Sequence, residues 1–278
     1  MEDPVDSETV IDALHKGVMR LDYVQGLFLG GSYGRGAEDA YSDIDFVAIV
    51  DDGREADLAR EWRRLLEKLE PVVFWSERRG RGVLINAIIA SWLRIDVHIL
   101  GSEGLAGRSR EALRAVYDPG NMAAGLPESV PQAANARHVE WLIQEFLRVL
   151  GLLAVVMGRG EYELAVGGVG HLRNHLVALL VEEANSPHKG GALHLSKQLT
   201  GDQKSVLPSL PSVTGNRRSV IAAHRAYADA FLPRAKKLAK RLGIAWPSEF
   251  EAATMAYLRR ELGDEWTDAR QGSSSLSQ

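Results

Sequence analysis

Apolar positions recur at helical spacing over residues 7–20, with Asp6 or Ser7 placed as N-cap, and again through "READLAREWRRLLEKLE" (54–70), which stops at Pro71. Between and after them lie short apolar runs bounded by glycine and polar residues. "VQGLFLGG" (24–31), "DIDFVAIV" (43–50), "PVVFWSE" (71–77), "GVLINAIIA" (82–90) and "LRIDVHIL" (93–100) all read as strands. Beyond the turn-rich "VYDPGNMAAGLP" (116–127) the period-two signal fades. Helices are predicted over 131–157, 161–184, about 216–242 and 247–262. The predicted fold class is therefore α/β (α+β): an N-terminal mixed sheet with flanking helices, followed by a C-terminal helical bundle. The expected division is 1–120 and 131–265, with the boundary in 118–130 and a disordered polar tail over 266–278.

Composition narrows this only a little. The chain has 278 residues, 45% hydrophobic and 25% charged, which suits globular domains. Its net charge of −4 counts against a polyanionic nucleic acid as main partner. The absence of cysteine removes disulfides and thiolate metal sites. The acidic start "MEDPVDSETV" lacks the pattern of a signal peptide, and the longest apolar run, "VLGLLAVVM" (149–157), is too short to span a bilayer, so a cytoplasmic protein with no membrane partner is expected.

The chemistry concentrates in "LGGSYGRGAEDAYSDIDFVAIV" (29–50). Asp43 and Asp45, at i and i+2 on a strand, share one face, where like charges repel unless a cation sits between them. On "LRIDVHIL", alternation puts Arg94, Asp96 and His98 on one face and Ile95, Val97 and Ile99 on the other. If that strand neighbours the first, three carboxylates converge into a set of hard oxygen ligands suited to Mg²⁺. Two such ions can activate an attacking oxygen and stabilise a leaving pyrophosphate. Gly30 and Gly31 permit close approach of backbone N–H groups to a phosphate, Ser32 adds a hydroxyl, and Arg35 can neutralise phosphate charge. Gly31, Ser32 and Arg35 are thus candidate nucleotide ligands. Asp43, Asp45 and Asp96 are candidate catalytic metal ligands, with Asp96 serving as general base, second-metal ligand or both.

A glycine turn, a serine, ten further residues and then Asp-x-Asp resemble the active-site signature of polymerase-β-like nucleotidyltransferases. Over most of 20–262 the chain also resembles lincosamide nucleotidyltransferases, which join such a domain to a helical one. The matching pieces are "YSDIDF", "RIDVH", "VYDPGN" and "GRGEYELA", and more weakly "HLSKQLTGDQ". Where this sequence has Asp45 or Asp96, that family can carry glutamate, one methylene longer. The resemblance implies transfer of a nucleoside monophosphate, usually from ATP with Mg²⁺, to a hydroxyl of a small antibiotic, by an enzyme that is commonly a homodimer. It favours a lincosamide-like acceptor over an aminoglycoside, with 1–120 as the catalytic domain and the helical 131–265 as an acceptor-binding domain that forms one wall of the acceptor pocket.

Other residues carry weaker indications. Arg94, His98 and Glu161 are possible acceptor or phosphate contacts, although a strand ion pair and a hydrogen-bonded histidine would account for the first two equally well, and an acid in the first turn of a helix accounts better for Glu161. His171 and His175 share a helix face but lack the further ligands of a zinc site; Arg173 and His171 are weak triphosphate candidates. Two alternative functions compete. One is transfer to a protein acceptor of the toxin–antitoxin kind, for which Arg218 and His224 have the loose spacing of a toxin ribonuclease motif. The other is a non-catalytic nucleotide-binding module, against which the complete carboxylate set counts.

Overall fold

The computed structural model describes residues 5–128, 133–185 and 195–267. The chain divides into two compact units, Met1–Ser129 and Val130–Gln278. Residues 131 and 132 of the expected first bundle helix lie outside the described residues, as do 268–278 of the expected tail.

The N-terminal unit runs α1 (Ser7–Val18), β1 (Val24–Leu29), α2 (Gly31–Gly34), β2 (Ile44–Val50), α3 (Glu55–Glu67), β3 (Val72–Gly80), β4 (Gly82–Ile89), β5 (Arg94–Leu100) and β6 (Arg114–Tyr117). Asp6 is the N-cap of α1, its carboxylate accepting from the Thr9 N–H at 2.7 Å. The six strands are ordered β3-β4-β5-β2-β1-β6; β2 and β5 are parallel and every other pair is antiparallel.

Three features depart from the sequence pattern. β6, inside the segment expected to be a link, closes the sheet against β1. Gly30 and Gly31 do not prolong β1: the chain turns into the single helical turn α2. β3 continues past its expected end at Glu77, through Arg78 and Arg79 to Gly80, because Arg81 alone joins it to β4 in a tight hairpin.

Alternation sorts the sheet's two faces. Leu27, Leu29, Ile44, Phe46, Ala48, Ile85, Ala87, Ile95 and Val97 point to one side, where α1 and α3 cover them with Leu14, Leu58, Trp62 and Leu66. Trp62 is fully buried and meets the Phe46 ring edge-on at 5.1 Å; burying one side chain of this size contributes about 2–3 kcal/mol. On the other side a smaller cluster, Phe28, Val47, Ile49, Leu100, Leu105 and Leu113, covers β1, β2 and the far end of β5. The start of β2 and of β5, and the open face of β3 and β4, are left for chemistry.

The C-terminal unit is helical: α4 (Ala136–Gly158), α5 (Tyr162–Ala184), α6 (Leu195–Gln198), α7 (Gly201–Lys204), α8 (Arg217–Leu242), α9 (Ser248–Leu262) and α10 (Asp264–Thr267). Phe146 of α4 stacks on Phe231 of α8 at 3.8 Å in the middle of its core. By length and composition α4 and α5 could each cross a membrane, since their apolar character extends well beyond residues 149–157. They are core helices, burying Leu142, Phe146, Leu150, Leu172, Leu176 and Leu179 in the bundle. The expected tail starts too early, because Trp266 is apolar enough to bury itself against this core from α10.

Candidate active site

Parallel pairing of β2 with β5 sets Asp45 directly beside Asp96, and Ile44 beside Ile95. Asp43 immediately precedes β2. Carboxylate oxygens of Asp43, Asp45 and Asp96 all lie within 4.8 Å of one another. The convergence expected from alternation is thus made by one strand pairing.

The electrostatics of this trio are adverse when no cation is present. Burial, then the negative charges of Asp43 and Asp96, push the Asp45 carboxyl up to about 6. Burial also raises Asp96, opposed by a hydrogen bond in which Asn86 Nδ2 donates to Asp96 Oδ2 at 2.7 Å. A divalent ion with oxygen preference relieves this repulsion, so the donor set fits Mg²⁺.

The glycine turn stands against the same carboxylates. The Gly30 N–H donates to the Asp45 carbonyl at 2.8 Å, tying the end of β1 to β2. Gly31 then takes φ +55°, and a Cβ there would fall 1.9 Å from Asp45 Oδ2, so both backbone and space require glycine. Ser32 follows, only 8% exposed, with a buried Oγ that finds no hydrogen-bond partner among the described residues. An orphaned hydroxyl at this place costs about 1–3 kcal/mol unless a ligand satisfies it, and a phosphate oxygen would do so. Arg35 is exposed at the end of the turn, and its charge acts to lower Asp45.

The remaining candidates fall in different places. Arg94 pairs with Asp43, Nη2 to Oδ2 at 3.2 Å, and not with Asp96, because residue 94 precedes the Ile95–Ile44 pair and so stands beside 43. The His98 Nε2–H donates to the Arg81 carbonyl at 3.2 Å, which ties the ring to the β3–β4 hairpin. Glu161 belongs to the C-terminal unit. It precedes α5 instead of lying in its first turn, and its exposed side chain makes no capping bond.

His175 is buried in the C-terminal unit, edge-on to Trp141, and His171 on the same helix is exposed. His224 is 2% exposed and its Nδ1–H donates to the Val220 carbonyl at 2.9 Å. A histidine so enclosed has no access to an RNA phosphate, so the ribonuclease spacing of Arg218 and His224 reflects helix packing.

Two residues of this face escaped the sequence pattern. Asn86 holds Asp96, and Arg78 Nη2 donates to Asn86 Oδ1 at 2.9 Å. Both depend on the register β3-β4-β5, which local periodicity does not encode; polar residues on the open face of strands otherwise buried were the available signal.

Residues 11–77 match the family model described as the nucleotidyltransferase domain. That segment is similar to a nucleotidyltransferase domain. The match holds the glycine turn, Ser32, Asp43 and Asp45, and ends before Asp96, whose membership of the site rests on geometry. No curated protein matches the chain. Among solved structures, an aminoglycoside 6-adenyltransferase from Bacillus subtilis aligns at 13% identity, covering 91% of this chain and 98% of that one, with TM-score 0.41. A nucleotidyltransferase-like protein from Exiguobacterium sibiricum aligns at 13% identity over 91% and 89%, TM-score 0.34. A Thermotoga maritima CCA-adding enzyme aligns at 12% over 93% and 71%, TM-score 0.34. Scores this low carry no argument about substrate; the nucleotidyltransferase assignment rests on the domain match and on the site itself.

Proposed function

We propose that the chain is a Mg²⁺-dependent nucleotidyltransferase that moves a nucleoside monophosphate, AMP from ATP before other donors, onto a hydroxyl of a small antibiotic, lincosamide-like before aminoglycoside. The observation that carries the reaction is the pairing of three mutually repelling carboxylates with a buried, unsatisfied Ser32 hydroxyl across the Gly31 turn. The acceptor class rests on the resemblance of the sequence motifs.

Asp43, Asp45 and Asp96 would hold the metal, two ions being expected. Bound there, Mg²⁺ supplies charge neutralisation of the triphosphate and a more acidic attacking hydroxyl. Gly31 and Ser32 receive the phosphates of the donor, with Arg35 offsetting their charge. Asp96, raised by burial, takes the acceptor's proton. The acceptor oxygen forms a bond to the α-phosphorus, the α–β bridging P–O bond breaks, and pyrophosphate departs with the electron pair. A soluble homodimer accompanies this reading.

Mass spectrometry of a lincosamide and aminoglycoside panel, incubated with protein, Mg²⁺ and each nucleoside triphosphate, tests it. A lincosamide should gain one nucleoside monophosphate with wild-type protein and not with the Asp43→Asn, Asp45→Asn double variant. Unmodified drugs alongside intact nucleotide binding would remove the antibiotic acceptor and turn attention to a protein acceptor.

A further inference from the structure

The carboxylate row does not end at Asp96. Register continues it across the sheet: Asp45 lies beside Asp96, Asp96 beside Asn86, and Asn86 beside Ser76. A parallel row runs Arg94, Ile88, Phe74 on one side, and another His98, Leu84, Arg78 on the other. Cross-strand partners share a face, so the nine residues of these rows on β3, β4 and β5 form one surface with Asp45 at its edge, opposite the face that α1 and α3 cover.

This surface differs from the rest of the sheet in being open. Ile85, Ala87, Ile95 and Val97, on the covered face of the same strands, are buried. On the open face Ser76, Leu84, Asn86 and Ile88 are half-buried, Phe74 is 48% exposed and Arg78 is exposed. The small cluster of Phe28, Val47 and Leu113 stops short of it. The Ser32 turn borders β1 and β2, so the donor's phosphates belong on that side of the carboxylates. The β3–β5 side lies across the carboxylates from the Ser32 turn and is continuous with Asp96.

Its charge is asymmetric. Among the nine residues on β3, β4 and β5 Asp96 is the one acid; the cations are Arg94, held by Asp43, and Arg78, which donates to the neutral Asn86, acts on Asp96 only through its charge, and has no ion-pair partner among the described residues. We propose that the open face of β3, β4 and β5 is the acceptor-binding floor, with Phe74 and Ile88 taking an apolar ring face, and that Arg78 is a specificity-determining residue that turns away polycationic acceptors. This rests on the nucleotidyltransferase reading and narrows it. An unpaired guanidinium at the outer rim raises the local potential against several ammonium groups at once, whereas a hydroxylated ring with one amine meets little penalty.

The test uses the full chain with Mg²⁺ and a non-hydrolysable ATP analogue. The probes are a singly aminated lincosamide and a multiply aminated aminoglycoside, read by the methyl signals of Ile88 and Leu84 and the side-chain amide of Asn86. The lincosamide should move these signals and the aminoglycoside should not. Arg78→Glu should tighten the aminoglycoside about tenfold or more, with Arg78→Gln between the two; the methyl spectrum also reports that each variant is folded.

Equal binding of both drugs to the wild-type floor, or folded Arg78 variants that leave aminoglycoside affinity unchanged, overturns the filter. If nucleotide binds and neither drug moves the floor signals, the floor is overturned and the nucleotidyl-transfer reading stands. If the analogue fails to bind with Mg²⁺, that reading itself fails and the acceptor floor falls with it.

Discussion

Replacing Asp45 by asparagine should make the metal-free protein more stable while abolishing its response to Mg²⁺. The carboxyl of Asp45 is raised from 3.8 to about 6, first by burial and then by Asp43 and Asp96. The native state therefore holds a proton that the unfolded chain releases, and stability falls as pH rises from about 4 to about 6. The full rise corresponds to about 3 kcal/mol. The group is partly open to solvent, and screening reduces the expected cost to about 1–2 kcal/mol at pH 8. Asparagine keeps the shape and removes the charge. Denaturant titrations at pH 8 in EDTA, followed by hydrogen exchange in β2 and β5 peptides, should show the variant more stable by that amount, with the gap closing near pH 4. With Mg²⁺ and nucleotide at about a hundred times their dissociation constant, wild type should gain about 2.7 kcal/mol and the variant almost nothing. A variant no more stable than wild type in EDTA at pH 8 would refute the view that the three carboxylates are held in mutual repulsion.

Ser32→Ala removes an unsatisfied buried hydroxyl, so metal-free stability should hold or rise by up to about 1 kcal/mol while nucleotide affinity by calorimetry falls about tenfold; loss of stability without loss of affinity would mark Ser32 as structural. Gly31→Ala meets φ +55° and the Asp45 carboxylate together, so it should cost about 1–3 kcal/mol and displace Asp45, seen as a lower melting temperature and lost Mg²⁺-dependent nucleotide binding. In the C-terminal unit, burial lowers His224 and also His175 below their ordinary value of 6.5. The unfolded chain then binds protons that the native state refuses, so this unit should lose stability as pH falls below about 6.5. Hydrogen exchange in α5 and α8 at pH 5 and pH 7.5 reads that loss, and protection unchanged between the two would contradict it.

The long helices were legible because an apolar stripe at helical spacing survives in the local sequence. α3, α4, α5, α8 and α9 all lie within a few residues of their expected spans. β6 was not legible: its four residues are exposed or half-buried and run into an Asp-Pro-Gly turn, so no apolar alternation announces it. The end of β3 was hidden for a related reason, since Arg78 and Arg79 pair with β4 through their backbone while their side chains look like a turn. Within the site, Asp43, Asp45 and Asp96 could be placed on faces from alternation alone. The partner of Arg94 and the support of Asp96 by Asn86 could not, because they depend on which strands are neighbours and in what register. The Ser32 hydroxyl was read as a phosphate donor; its burial without a partner is a property of the folded turn.

The most direct test of the central claim is a crystal structure with Mg²⁺ and a non-hydrolysable ATP analogue. The account predicts electron density for metal among the carboxylates of Asp43, Asp45 and Asp96, with a phosphate oxygen accepting from Ser32 Oγ. A triphosphate bound elsewhere, or the three carboxylates left without metal while Ser32 stays unsatisfied, would contradict it.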